Sequence, residues 1–248
     1  MKCAGLLLLI LVGCAPSADL EIQRQFEDAQ RAFDRAETPE DFRVAAAAYQ
    51  DILDRGFVSG IVLYNQGNAF MRAGEPGRAV ASYRRAQRYL PREARLQSNL
   101  DIAKGGEAEK PGGLSSQLLF WQNRLSPHEK LWIAAALWIV TFTLALLAIW
   151  RRRRSLVLPS WIALELAVVL SGSSAWDWFR FERTEHGVLV EDEVVARKGN
   201  GVSYQPAFKE PLPETTEFTV LEKQNGWLHI RLEGHLEAWV EEDAVVTY

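Results

Sequence analysis

The hydrophobic pattern changes its period along the chain. From residue 19 to residue 104 apolar positions recur at helical spacing, which predicts a run of α-helices. Leu131 to Trp150 is twenty residues without a charge, and Ser155 to Trp176 is a second apolar run broken only by Glu165. Each run is long enough to span a membrane, which takes about 20 apolar residues. Beyond residue 187 short β-rich runs follow: Val188–Val190, Val194–Ala196, Glu217–Glu222, Trp227–Leu232 and Leu236–Val240. Asn225-Gly226 is a type I′ hairpin signal, and alternation puts Leu228, Ile230 and Leu232 on one face. The predicted fold class is a multidomain membrane protein. Helical hairpins (19–104), a linker (105–130), two transmembrane helices (131–150 and 155–178) and a small all-β barrel (187–248) follow in order.

The first fourteen residues read as an export signal. Lys2 precedes the apolar stretch Ala4–Val12, which is too short to span a bilayer. Leu11-Val12-Gly13-Cys14 resembles the bacterial lipobox, in which the cysteine is acylated and becomes the mature N-terminus. Cys14 is therefore either a lipidation site or a chance cysteine in an ordinary signal. Arg151–Arg154 separates the two spans, and basic residues stay on the cytoplasmic side. Both ends of the hairpin are then extracytoplasmic, in keeping with the export signal. The expected location is the bacterial inner membrane, with both soluble modules in the periplasm.

An internal repeat runs through the helical segment at an offset of 34 residues: Ala45 aligns with Ala79, Tyr49 with Tyr83 and Ile52 with Ala86. That offset is the tetratricopeptide period. The second copy resembles the family through Gly67, Phe70, Ala79, Tyr83, Ala86 and Pro91, with Gly74 in the turn. Small residues at 67 and 79 allow close helix approach, the aromatic rings fill the space around them, and Pro91 ends the second helix. Gln66 stands where leucine is usual, and Leu63 where tryptophan is usual. In the degenerate first copy, one helix is expected over about Asp19–Ala36 and the next from Thr38-Pro39-Glu40-Asp41. A helix over about Arg92–Ala103 would cover the stack, before a glycine-rich linker.

The C-terminal segment resembles a bacterial SH3 domain in Arg197-Lys198-Gly199, Asn225-Gly226-Trp227, and Gly234 followed by Ala238-Trp239-Val240. Tyr204, Trp227 and Trp239 are candidates for a peptide groove; alternatively, Trp239 closes the small core.

Composition changes this picture little. The net charge of −4 gives no reason to expect nucleic acid. The two cysteines, Cys3 and Cys14, exclude a disulfide scaffold and a cysteine-based metal site. The distribution of charge says more. Residues 72–95 hold seven arginines and two glutamates, a surface either for an acidic peptide or lipid headgroups, or merely for solvent. Residues 180–248, the barrel with its lead-in, carry fourteen acids and seven bases, a poor match for anionic wall polymers. His128, His186, His229 and His235 have no metal-ligand spacing, and no phosphate loop, dinucleotide fingerprint or nucleophile elbow occurs. No enzyme activity and no cofactor is expected. Glu165 is the single ionisable group within the apolar runs 131–150 and 155–176, and it is expected to hydrogen-bond Thr141 or to face a partner's helix.

The order of modules, together with Gly67-Asn68-Ala69, Leu125-Ser126-Pro127-His128-Glu129, Gly226-Trp227 and Trp239, resembles the BatE proteins of the bacterial aerotolerance (Bat) group. The resemblance implies an interaction scaffold working with membrane-anchored von Willebrand factor A proteins and a MoxR-type ATPase. The alternative function is a cell-wall tether that uses the barrel on peptidoglycan.

Overall fold

The structure is a computed structural model and describes residues 16–106 and 124–248. Cys14, the expected export signal and most of the expected linker lie outside the described residues. Five helices come first: α1 (Pro16–Arg35), α2 (Pro39–Asp54), α3 (Gly60–Ala73), α4 (Pro76–Gln87) and α5 (Ala94–Ala103). Two long helices follow, α6 (Pro127–Trp150) and α7 (Val157–Arg183), joined through a 3-10 turn at Arg154–Leu156. The strands are β1 (His186–Leu189), β2 (Glu217–Gln224), β3 (Trp227–Leu232), β4 (Glu237–Glu241) and β5 (Val245–Thr247).

Local chemistry sets the helix ends. Thr38 and Asp41 form a capping box ahead of α2, and Ser126 and Glu129 form another ahead of α6. In both, proline follows the cap, where its missing N–H costs nothing. The Ser126-Pro127-His128-Glu129 string is thus a helix start. Gly74 ends α3 in the left-handed region (φ 79°) and turns its N–H back onto Phe70 and Met71.

Helices α1 to α5 pack in sequence, each on the next, around Tyr49, Ile52, Leu63, Val80, Tyr83, Leu96 and Leu100. Gly67 is needed where α3 meets α4: a Cβ there would lie 2.5 Å from the Tyr83 ring. The corresponding first-copy position is Phe33, whose ring packs edge-on against Phe42 at 5.4 Å.

Helices α6 and α7 are both long and apolar enough to cross a membrane. They meet along Ala134, Thr141, Ala163 and Ala167, small residues that allow close approach. Trp138 Nε1 donates to Ser171 Oγ across the pair at 3.2 Å.

The sheet is antiparallel, in the order β4-β3-β2-β1-β5. Asn225 and Gly226 both take positive φ (53° and 77°), as a type I′ turn requires. Leu228, Ile230, Ala238 and Val240 face a small core with Leu189 and Phe218. Two expectations change here. Val194–Ala196 forms no strand; Val194 makes an isolated bridge to Leu212, and the next residue, Arg197, bridges to Pro206 and Trp239. Val245–Thr247, which lacks an alternating signal, is a strand because β1 pairs with it.

The β1–β5 pair is buried on two sides. Leu189 points into the sheet core, while Val188, Val246 and Tyr248 pack against the helical core.

Candidate functional site

Four places carry the residues singled out from the sequence. The first is the arginine-rich second repeat. Arg84, Arg88 and Arg92 lie four residues apart along α4 and the segment after it. Arg84 forks onto Glu217 of β2, Nε to Oε1 at 2.5 Å and Nη2 to Oε2 at 2.8 Å. Lys104 Nζ reaches the same carboxylate at 2.9 Å, and the Tyr248 hydroxyl donates to it at 3.3 Å. Burial alone would raise the Glu217 carboxyl, but the hydrogen bonds and charge of Arg84 and Lys104 outweigh it and hold the group down to about 2. Burial lowers the Arg88 guanidinium to about 10, with Tyr89 and Asp177 acting in the opposite sense. Arg92 pairs with Glu129 in the first turn of α6. This part of the basic surface therefore holds the chain's own acids, from the sheet and from the spans.

A second link joins helices and sheet. Glu75, at the N-cap of α4, makes no side-chain cap bond; Glu214 Oε1 accepts from the Gly77 N–H at 2.8 Å instead. Glycine is required at 77 because a Cβ would lie 2.3 Å from the Leu189 carbonyl oxygen.

The second place is a groove of about 420 Å³ between α2 and α4, bordered by β5. Gln66, 2% exposed, sits in its wall and is fully engaged. It accepts from Ser82 Oγ at 3.1 Å and donates to Gln50 Oε1 at 2.8 Å, and Gln50 in turn donates to Asp54 at 2.6 Å. The departure from leucine noted in the repeat motif is thus a polar floor. Arg43, Arg78 and Arg85 stand around it, with Glu75 bridging to Arg43 at 2.5 Å and to Arg78 at 3.5 Å. The other motif residues lie together: Ala79, Tyr83 and Ala86 are buried in the core, Phe70 packs beside them, and Pro91 follows α4.

The third place is the outer face of the sheet. Register puts Trp227, His229, Trp239 and Glu241 on one side, away from the core. Trp239 does not close the core. Its neighbours Ala238 and Val240 do, and its ring stacks on His229 at 4.8 Å and 9°. Tyr204 covers Gly199, where a Cβ would meet its ring at 2.6 Å, and its carbonyl accepts from Arg197. Arg197 in turn exchanges backbone hydrogen bonds with Trp239, so Tyr204 and Trp239 flank the same bridge. Among the described residues no ring contact joins Tyr204 to Trp227 or Trp239.

The fourth place is the pair of spans. The expected bond from Glu165 to Thr141 is not made. Thr141 is buried between the helices and its hydroxyl donates to its own helix, at Leu137 O, 2.8 Å away. Glu165 is exposed, because the α7 face that meets α6 runs through Ala163 and Ala167, and residue 165 lies on the far side of the turn. The ionic contact between the spans lies nearer one end: Lys130 Nζ, fully buried, contacts Asp177 Oδ2 at 2.5 Å.

Several of these residues escaped the sequence pattern: Glu214, Glu217, Lys130, Asp177 and the Gln50–Gln66–Ser82 chain. One charge at the same end of each span was the available signal for Lys130 and Asp177, and glutamine in a leucine position was the signal for Gln66. Among the described residues, no group of three or more His, Cys, Asp or Glu is placed to hold a metal ion. Comparison with protein-family models, curated proteins and solved structures finds no match.

Proposed function

We propose that the chain is an inner-membrane interaction scaffold of the BatE type. A tetratricopeptide unit (α1–α5) and an SH3-like unit (β1–β5) both stand in the periplasm, and both serve protein partners. In this reading the partners are membrane-anchored von Willebrand factor A proteins of a complex associated with a MoxR-type ATPase and with aerotolerance. The supporting observation is the common end of the hairpin. Arg92 pairs with Glu129 at the start of α6, and the sheet follows the end of α7 and packs on the same helices. Arg151 to Arg154 lie at the opposite end, all four exposed, where the positive-inside rule puts cytoplasm.

The test has two parts. Alkaline phosphatase fused after Tyr248 is expected to be active; an inactive fusion reverses the topology. Cross-linking in native membranes is expected to capture a protein with a von Willebrand factor A domain. Capture of peptidoglycan fragments alone would replace the scaffold with a wall tether.

A further inference from the structure

Strand β5 is an edge strand, paired on one side with β1. His186 and Tyr248 exchange both backbone hydrogen bonds, so in the antiparallel alternation the next residue, Thr247, points its N–H and C=O away from β1. Among the described residues no backbone hydrogen bond to another segment engages these outward groups. Edges of this kind are usually short, charged or covered, since they template pairing with a further strand. Here Val246 and Thr247 border the groove between α2 and α4.

The groove suits one kind of occupant. Its floor is the Gln50–Gln66–Ser82 chain, a run of hydrogen-bonding groups where the repeat motif favours leucine. A buried polar chain is tolerated because every member is satisfied, and it presents amide and hydroxyl dipoles rather than an apolar wall. Of the three rim arginines, Arg43 and Arg78 share Glu75, while Arg85 has no ion pair among the described residues. Asp51 also lines the groove, so three arginines face two carboxylates, and the remaining positive charge complements an anionic ligand. A volume of about 420 Å³ fits a short stretch of extended chain rather than a folded domain.

We infer that a short, extended, acidic segment of a partner protein adds as a strand to the free edge of β5 and lies in this groove, with its carboxylates against Arg85 and Arg78. Main-chain bonds to Thr247 supply affinity, and alternate side chains turned to the arginines supply selectivity. The site is composite. It exists only because Glu214, Glu217 and Gly77 dock the sheet against α4, and neither unit alone contains it.

The inference rests on the scaffold reading in that the ligand is a protein segment. The two fail separately, because this one is read with a synthetic peptide on the isolated full-length chain in detergent. The probe is a fluorescent, end-blocked hexapeptide of alternating Glu and Val, followed by anisotropy. Saturable binding is expected, at least tenfold tighter than for the Lys-Val counterpart. Arg85→Glu is expected to weaken it about tenfold, the scale of one lost charge-assisted contact. Thr247→Pro removes the outward N–H and is expected to abolish binding, while Thr247→Val preserves it. An acidic peptide N-methylated at alternate residues tests the same bonds with the unaltered chain, and it is expected not to bind. Equal binding of the methylated peptide, or of the lysine peptide, overturns the inference. So does complete displacement by millimolar inorganic phosphate, which would mark a simple anion pocket. Absence of saturable binding also overturns it.

Discussion

In α3–α4 the large side chains point at the partner helix; in α6–α7 many of them point away from it. Tyr83 is 1% exposed and lies over Gly67, whereas Trp132 and Phe142 of α6 are 76% and 66% exposed. Both pairs are antiparallel helices that meet through small residues. They differ in the solvent that each demands. In water the apolar stripe must be covered, so α3 and α4 concentrate it on the facing sides. In lipid the outer face is as apolar as the inner one, and small residues and polar contacts hold the pair together. A ring is therefore a core element in one pair, and in the other it stands on an outer face apolar enough for lipid.

The largest expected effect breaks the comparison where packing is tightest. Tyr83→Ala should destabilise the helical unit by about 3–5 kcal/mol through the cavity it leaves, read by thermal unfolding in detergent. Phe142→Ala, an equally drastic truncation on the lipid side of α6, should change hairpin stability by under about 1 kcal/mol. Equal losses would mean that the outer face of α6 is covered by protein.

Next comes Lys130→Met. It removes the contact to Asp177 at 2.5 Å and should cost about 3 kcal/mol, and Lys130→Met/Asp177→Leu should recover most of that. A double-mutant cycle with no coupling would show that the pair contributes nothing to the hairpin. The expected loss sharpens the contrast, because the α3–α4 pair is held by burial and the hairpin by a few polar contacts.

Docking of helices to sheet should depend on acid. The Glu217 carboxyl is held at about 2, below the ordinary 4.5, so the stability it lends is fully present above pH 4.5 and is lost as pH falls toward 2. Glu214, pushed upward by burial, works in the opposite sense. Hydrogen exchange at β1 and β5 should rise over that interval, and Glu217→Gln should flatten the response. An unchanged response in the variant would assign the acid limb to other groups.

The smallest effect is expected at Glu165. An exposed carboxyl in an apolar span costs about 3 kcal/mol on insertion scales, so it is best accommodated against a partner's donor. Glu165→Gln should leave abundance and assembly nearly unchanged, measured by membrane fractionation and native electrophoresis. Loss of function with normal assembly would require a proton-handling role.

Much of this architecture was legible from local pattern. The turn at Asn225-Gly226, the cap at Thr38, the two apolar spans, and the seating of Gly67 against Tyr83 all depend on residues near one another in sequence, or on a period that repeats. Where reading failed, the cause was a contact across long separation. Three valine-rich residues near the C-terminus became β5 because β1 is there to pair with them. Glu165 and Thr141 lie at similar distances along the chain from the arginine turn, which puts them at similar depth in the two spans. Depth fixes height along a helix, but rotation about the axis decides which residues meet, and Ala163 and Ala167 took the contact.

Sequence alone therefore determined most of the elements: the helices, the strands other than β5, the turn at Asn225-Gly226, and which helices are long and apolar enough to cross a membrane. These follow from backbone propensity and hydrophobic period, which act over a few residues. Only the tertiary structure decided what the charges do. The arginines of the second repeat look alike in sequence, yet Arg84 grips Glu217, Arg92 grips Glu129 and Arg85 is left at a groove. A charge carries no period. Its role is set by the group that folding brings within a few ångströms, in these two pairs from 133 and 37 residues away.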